Sequence, residues 1–178
     1  MTTMKLHPGE RFPALQVMDE RGNAVTLGKP ANGCSWQAIF VYRGAHCPMC
    51  TRYLNKLETH LAEFAEVEID VIAVSADSSA QLASHREKLN VSFTVCHGLS
   101  EAQIQTLGLY ISEPRSEQET DHRFAEPGLF VVNEQGSLHV VDISNNPFLR
   151  PELDTLTRGL KWIRDPKNNY PIRGSLSY

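Results

Sequence analysis

The order of elements predicts an α/β fold with a mixed central sheet and helices on both faces. Three observations carry this. Trp36-Gln37-Ala38-Ile39-Phe40-Val41-Tyr42 is an aromatic and β-branched run of strand length, and it leads directly into an amphipathic helix. The strand-then-helix pattern repeats twice before Gly108. The chain then changes to two closely spaced strands, Gly128–Asn133 and Leu138–Ile143, joined by the turn Glu134-Gln135-Gly136. Helical crossovers imply parallel strands, whereas a hairpin adds antiparallel ones, so the sheet is mixed.

In chain order, Pro8–Pro13 is turn-rich, and Leu15-Gln16-Val17 and Ala24-Val25-Thr26-Leu27 read as an N-terminal hairpin extension around Glu20-Arg21-Gly22-Asn23. Cys34 lies in a Gly/Asn/Ser loop and reads as an incidental free thiol. After the central strand, Cys50, Leu54, Leu57, Leu61 and Phe64 recur at three- and four-residue steps, which predicts one continuous helix with a single apolar face. Val67–Ala76 reads as the next strand. Asp77-Ser78-Ser79 reads as an N-cap cluster for a helix running to about Asn90, with Leu82 and Leu89 inward. Ser92–Cys96 is a short strand, and Ser100 caps a brief helix through Leu107 that stops at Gly108. Residues 112–126 carry almost nothing apolar and read as a surface insertion, a mobile flap. Pro151 is expected to open the last helix, with Leu153, Leu156, Leu160 and Ile163 inward, and residues 167–178 form an irregular tail.

The 178 residues, 41% hydrophobic and 21% charged, suit a single domain spanning residues 1–178. A net charge of −4 with scattered Lys and Arg gives no basic stripe, which argues against nucleic acid as a partner. Apolar runs of strand length argue against a membrane span, and a start without an apolar leader points to the cytoplasm. Four cysteines in a chain this long are not a disulfide scaffold; in a reducing compartment they are free, catalytic or metal-bound.

The chemistry concentrates at Arg43-Gly44-Ala45-His46-Cys47-Pro48-Met49-Cys50. Cys47 falls at the strand-to-helix junction, over unpaired N–H groups at the positive end of the helix dipole, which favours thiolate. Pro48 suits the first helical position. Cys50, one turn in and on the same side, is placed to attack a mixed disulfide on Cys47. The stretch reads as a dithiol/disulfide redox centre, and such a pair after the first crossover strand selects the thioredoxin-like arrangement among α/β folds. Arg43 and His46 are candidates for stabilising the thiolate, and His46 also for moving a proton. Cys96, ending a strand, reads as a small core residue, with a second resolving role as the alternative. Zinc held by Cys47, Cys50, Cys96 and His97 is a competing reading, weakened because adjacent Cys and His rarely both reach one tetrahedral ion. No metal and no cofactor is expected.

Tyr42–Cys50 together with Pro127–Gly136 resembles the peroxiredoxin-like branch of the alkyl hydroperoxide reductase/thiol-specific antioxidant (AhpC/TSA) family, from about Pro8 to Ile163. The resemblance implies a thioredoxin-like fold and an antioxidant thiol peroxidase or disulfide oxidoreductase. In that reading Cys47 attacks a hydroperoxide or disulfide, Cys50 closes an intramolecular disulfide, and thioredoxin or a glutathione-type thiol restores it; a homodimer is among the partners it allows. Pro127 occupies the place of the family's cis-proline, so a cis bond is expected there. Two departures stand out. Gly44 sits where the family carries its peroxide-orienting threonine, and Pro127 sits where it carries an arginine before Gly-Leu-Phe. Arg43, Arg123, Arg150 and His46 are the candidate substitutes. Without a substitute, disulfides or bulky hydroperoxides are better substrates than hydrogen peroxide. A non-catalytic redox sensor or binding module is the alternative function.

Overall fold

The computed structural model describes residues 4–178; the first three residues, part of the start read as lacking a leader, lie outside it. Seven strands make one sheet: β1 Leu15–Asp19, β2 Ala24–Leu27, β3 Trp36–Val41, β4 Ile69–Val74, β5 Thr94–His97, β8 Gly128–Val132 and β9 Leu138–Ile143, in the order β2-β1-β5-β4-β3-β8-β9. β3, β4 and β5 are parallel neighbours, with Trp36 opposite Ile69 and Val41 opposite Val74. β8 pairs with β3, and β9 with β8, antiparallel. The expected N-terminal hairpin is β1–β2, and it is built into the sheet through antiparallel pairing of β1 with β5. The two short strands β6 Ile111–Ser112 and β7 Phe124–Ala125 form a separate ribbon.

Every residue of β3 is buried, because helices cover both of its faces. Alternation then divides the core. Ala38 and Phe40 join Cys47, Cys50, Leu54, Leu57 and Leu160 on one side, while Ile39 and Val41 join Val74, Cys96, Ile104 and Phe130 on the other. The helices are α1 Pro48–Glu58, α2 Leu61–Glu66, α3 Ser79–Arg86, α4 Glu101–Thr106 and α5 Leu153–Arg164. None is long and apolar enough to cross a membrane.

Four sequence expectations are corrected by local hydrogen bonding. The single helix after Cys47 is two, α1 and α2. The amides of Thr59 and His60 close back onto Lys56 and Leu57, three residues behind, and the Thr59 hydroxyl also donates to the Lys56 carbonyl at 2.7 Å. The apolar spacing survives the break, and Phe64 is buried. The helix expected to reach Asn90 ends at Arg86, because the Asn55 side chain on α1 accepts from the Asn90 amide at 2.8 Å and donates to the Lys88 carbonyl. Pro151 does not open α5. The Glu152 carboxylate caps it, accepting from the amides of Asp154 and Thr155, while the Pro151 carbonyl accepts from Tyr53 Oη at 2.7 Å. The tail begins with a 3₁₀ turn, Pro166–Asn168, rather than being irregular throughout.

The 112–126 insertion is pinned at both ends by the β6–β7 ribbon, and Thr120, Phe124, Ala125 and Glu126 are buried. Only the stretch 115–118 between them is continuously exposed. Limited proteolysis is expected to cut within 115–118 before any other internal site; first cleavage elsewhere in residues 15–164 would contradict a labile insertion.

Candidate active site

β3 ends one residue before Tyr42, and the chain turns through Arg43–His46 to reach Cys47, the N-cap of α1. Cys47 has extended geometry, φ −105° and ψ 101°, and its sulfur accepts from the Cys50 amide at 3.3 Å. A cap position usually filled by a Ser or Asp oxygen therefore holds a sulfur, which feels the helix dipole as that oxygen would. Pro48 follows at the first turn, as expected for a residue with no N–H to satisfy. Cys47 is 2% exposed and Cys50 is fully buried.

Two guanidinium groups flank the thiols. Arg150 Nη2 donates to Cys50 Sγ at 2.7 Å, with its guanidinium over the Tyr53 ring. Arg43 helps to lower the Cys47 thiol pKa, and its Nε pairs with the buried carboxylate of Glu126 at 3.1 Å. Glu126 also accepts from the Ser112 hydroxyl at 2.7 Å, so the ribbon at the base of the insertion fixes Arg43. The Cys47 thiol is pulled down to about 5 from an ordinary 9.0. The hydrogen bond from the Cys50 thiol is the main cause, with the Cys50 amide, Arg43 and Arg150 adding to it against the cost of burial. Burial and the same hydrogen bond push Cys50 the opposite way, well above the ordinary thiol range. The pair is thus polarised into one thiolate and one thiol at neutral pH.

This gives a pH prediction. The alkylation rate of Cys47 is expected to stay flat from neutral pH downward and to fall by half near pH 5. In Cys50→Ala, which lacks the main donor, the inflection should move up. Because the folded-state pKa is depressed, the thiolate's contribution to stability is present above the unfolded thiol value and is lost as pH falls through about 5. A rate profile of wild type with its midpoint near 9 would refute the assignment.

Asp77, read from the sequence as part of an N-cap cluster, does other work. Ser78 caps α3, and the Asp77 carboxylate turns back to accept from the Ala45 amide at 2.8 Å. It fills the space beside Gly44. A Cβ there would lie 2.6 Å from Asp77 Oδ1, and Gly44 has φ +142°. At Gly44, the position where the resemblance places a threonine, the Asp77 carboxylate takes up the space a side chain would need. Placing one there with Gly44→Thr is expected to cost about 1–3 kcal/mol through backbone strain. That corresponds to a fall of about 2–10 °C in Tm. An unchanged melt would show that the loop tolerates a side chain.

The other predicted residues divide. His46 packs against Phe124 with ring centroids 4.5 Å apart and the rings tilted by 55°, and both of its nitrogens are buried without partners. Burial and then Arg43 push it down to about 4, so it is neutral at pH 7 and offers Cys47 no cationic support. The bond before Pro127 is trans, since the described residues contain no cis peptide, which corrects the cis expectation. The backbone there runs extended from ribbon to sheet: Glu126 N donates to Tyr110 O, and Pro127 O accepts from Ser144 N. Trans is also the ordinary X–Pro preference. Pro127 still borders the dithiol region, lining with Tyr42, Tyr53 and Arg150 a cavity of about 20 Å³, room for roughly one water. Arg123 is not brought to the thiols; it pairs with Glu113 and Glu101 on the surface. Cys96 packs in the core on the opposite side of the sheet from the dithiol, and Cys34 lies before β3, at the end remote from Cys47. Asp77, Glu126 and Phe124 were missed. Asp77 had a signal: it follows a parallel strand that neighbours the one leading to Cys47, where ligands and catalytic groups collect in open α/β sheets. Glu126 and Phe124 had none, because their partner Arg43 is about eighty residues away in the chain.

The sequence model of the AhpC/TSA family matches residues 8–141. A Mycobacterium tuberculosis protein carrying the name peroxiredoxin is 25% identical over 138 residues, covering 78% of this chain and 85% of that one. Among solved structures, a peroxiredoxin-like protein from Aquifex aeolicus superposes with a TM-score of 0.73 at 19% identity, covering 90% of this chain and 89% of the other. Peroxidoxin BcpB from M. tuberculosis gives 0.71 at 16% identity, covering 90% and 99%. At these identities the structural likeness speaks for the fold, a thioredoxin-like sheet with flanking helices.

Proposed function

The chain belongs to the AhpC/TSA family and is a peroxiredoxin-like thiol enzyme, and from that premise we propose that Cys47 is the peroxidatic thiolate and Cys50 the resolving thiol. The Cys47 thiolate attacks the terminal oxygen of a hydroperoxide. The O–O bond breaks, its electron pair leaves on the second oxygen, and that oxygen takes a proton to become an alcohol or water. Sulfur is oxidised by two electrons to sulfenic acid. Cys50 then attacks it, the S–S bond forms, and water leaves. An external thiol pair, from thioredoxin or a glutathione-type reductant, reduces the disulfide by exchange. The reading suits a reducing compartment such as the cytoplasm; a homodimer is compatible with it.

The observation that carries this reading is Arg43, held at 3.1 Å by the buried Glu126 carboxylate and close enough to Cys47 to help pull its thiol pKa down. It supplies a preorganised donor where charge develops on the departing oxygen, replacing the groups that Gly44 and Pro127 displace. Hydrogen peroxide is then a competent substrate, and the expected preference for disulfides weakens further because both thiols are almost wholly enclosed. A coupled assay with thioredoxin and NADPH against hydrogen peroxide, an organic hydroperoxide and a protein disulfide tests it. Sustained turnover with peroxides is expected. Oxidation that stops after one equivalent in wild type would favour a sensor, and turnover with the protein disulfide alone would favour an oxidoreductase.

A further inference from the structure

Arg43 and Arg150 both stand beside the dithiol, but they are held differently. Arg43 shares its charge with the buried Glu126 carboxylate. Arg150 pairs with no carboxylate among the described residues, and its hydrogen bond goes to Cys50 Sγ at 2.7 Å. Its Nε is buried without a partner. The approach is built locally. Cys50 and Tyr53, three residues apart, stand on one side of α1, and the guanidinium lies over the Tyr53 ring, 5.1 Å from its centre. The Tyr53 hydroxyl donates to the Pro151 carbonyl at 2.7 Å, so one tyrosine fixes both the Arg150 side chain and the backbone beside it. Pro151 adds to this, since the residue before a proline is biased to extended backbone. A positive charge with no carboxylate to offset it is thereby aimed at a sulfur that is 0% exposed.

That contact does little for the reduced enzyme. There Cys50 is a neutral thiol that donates to the Cys47 thiolate. An N–H donor gains little from a neutral sulfur, whereas the same bond to an anionic sulfur is charge-assisted. An interaction that strengthens only when Cys50 becomes an anion acts on the step in which it does so. We propose that Arg150 is the catalytic residue of the resolving step: it holds the Cys50 sulfur as a thiolate once Cys47 has been oxidised, and so delivers the second nucleophile. The proposal rests on the peroxidase reading above and assigns a residue to its second half. In that step Cys50 gives up its proton, and the thiolate electron pair forms the S–S bond. The S–O bond of the sulfenic acid breaks with its pair on oxygen, which takes up one proton and leaves as water. The Cys50 sulfur is oxidised and the Cys47 sulfur reduced, by one electron each. The timing follows from what surrounds Cys50. Burial raises its pKa most, the hydrogen bond to Cys47 and the charge on Cys47 raise it further, and Arg150 lowers it. Oxidation of Cys47 removes its charge and the hydrogen bond to an anion, which leaves Arg150 opposed by burial alone. The second thiol is thus kept protonated until the first has reacted.

Two measurements test this. The first needs no peroxide. The ultraviolet absorbance of the Cys50 thiolate is titrated in Cys47→Ser, whose neutral hydroxyl stands in for the oxidised sulfur, with Cys47→Ser/Cys50→Ser as the blank. The midpoint is expected to rise by about 1–3 pH units on adding Arg150→Met or Arg150→Gln, the usual effect of losing one opposite charge at contact. Arg150→Lys, which keeps the charge, should restore most of the fall. A midpoint that both neutral variants leave in place overturns the proposal. The second measurement follows a single turnover with one equivalent of hydrogen peroxide by rapid quench, with dimedone scoring sulfenic acid and mass spectrometry scoring disulfide. In the neutral variants the ratio of resolution rate to oxidation rate is expected to fall by about 10-fold or more at pH 7. It should recover with rising pH more steeply than in wild type, because hydroxide then supplies the thiolate that the guanidinium no longer holds. A merely structural loss would lower both rates together, so an unchanged ratio, or a lowered ratio with the wild-type pH slope, overturns the assignment while leaving the peroxidase intact. If wild type forms no sulfenic acid with any peroxide, the peroxidase reading falls. A titration that still moves with Arg150 then upholds its hold on Cys50, used for the same attack on a mixed disulfide at Cys47 with a thiolate as the leaving group.

Discussion

Changing Arg43 to alanine is expected to slow the reaction of Cys47 with hydrogen peroxide by about 10²–10³-fold, the usual loss when one preorganised donor to developing charge is removed. Arg43 acts on Cys47 in two ways, and magnitudes separate them. It helps lower the thiol pKa, yet the principal cause is the hydrogen bond from Cys50, and the thiol sits at about 5. At pH 7 a modest rise would still leave most of the sulfur as thiolate, so the ground-state effect on rate is small. The transition-state effect is not, because a departing oxygen in a nearly closed site has no water to solvate it. Alkylation by iodoacetamide, which expels a stable halide, should therefore change far less than peroxide reduction. Glu126 would be left as an unpaired buried carboxylate in the single variant, at a cost of about 3–5 kcal/mol in stability. The measurement is for that reason best made in Arg43→Ala/Glu126→Gln as well as in Arg43→Lys, which keeps the charge and loses the planar fork. Stopped-flow rates within about threefold of wild type in all three would remove Arg43 from the chemistry.

The dithiol and the element order were legible because both are local. Strand, loop, Cys47-Pro48 and a helical period read along one continuous stretch, and a sulfur at a helix N-terminus carries its electrostatics with it. Helix ends were less legible, since they were set by single side chains reaching from elsewhere: Asn55 onto residues 88–90, and Glu152 onto the first turn of α5. The supporting shell was the least legible. Gly44 looked like a lost threonine until Asp77, some thirty residues on, was seen to occupy the space. Arg43 was one of four candidate cations until Glu126 fixed it and Arg123 proved to be committed to surface carboxylates. The expected proline geometry came from a resemblance alone, and the backbone of this chain runs through that position in the ordinary trans form. In each case the deciding contact joins residues far apart in the chain, which periodicity and spacing do not report.

Changing Cys50 to serine is expected to convert catalysis into a single event: one equivalent of peroxide consumed per chain, then arrest with Cys47 as a sulfenic acid that dimedone traps. The reason is geometric. Among the described cysteines, Cys50 alone shares the first turn of α1 with Cys47; Cys96 lies on the opposite side of the sheet, and Cys34 lies before the far end of β3. Resolution within one helical turn gains the large effective concentration of an intramolecular reaction, whereas an external thiol must reach a sulfur that is 2% exposed. Serine keeps a hydroxyl where the thiol stood, so it can still donate to the Cys47 thiolate, and the first oxidation should remain fast. Alanine cannot donate, and the same first step should slow in Cys50→Ala as pH falls toward the raised thiol pKa. The two variants thus separate the resolving role of Cys50 from its role as hydrogen-bond donor: arrest in both, a pH-sensitive first step only in alanine. Steady turnover of Cys50→Ser above about a tenth of the wild-type rate with thioredoxin or a small thiol would mean that the first sulfur is reduced directly from outside, and Cys50 would then be a donor to the nucleophile and nothing more.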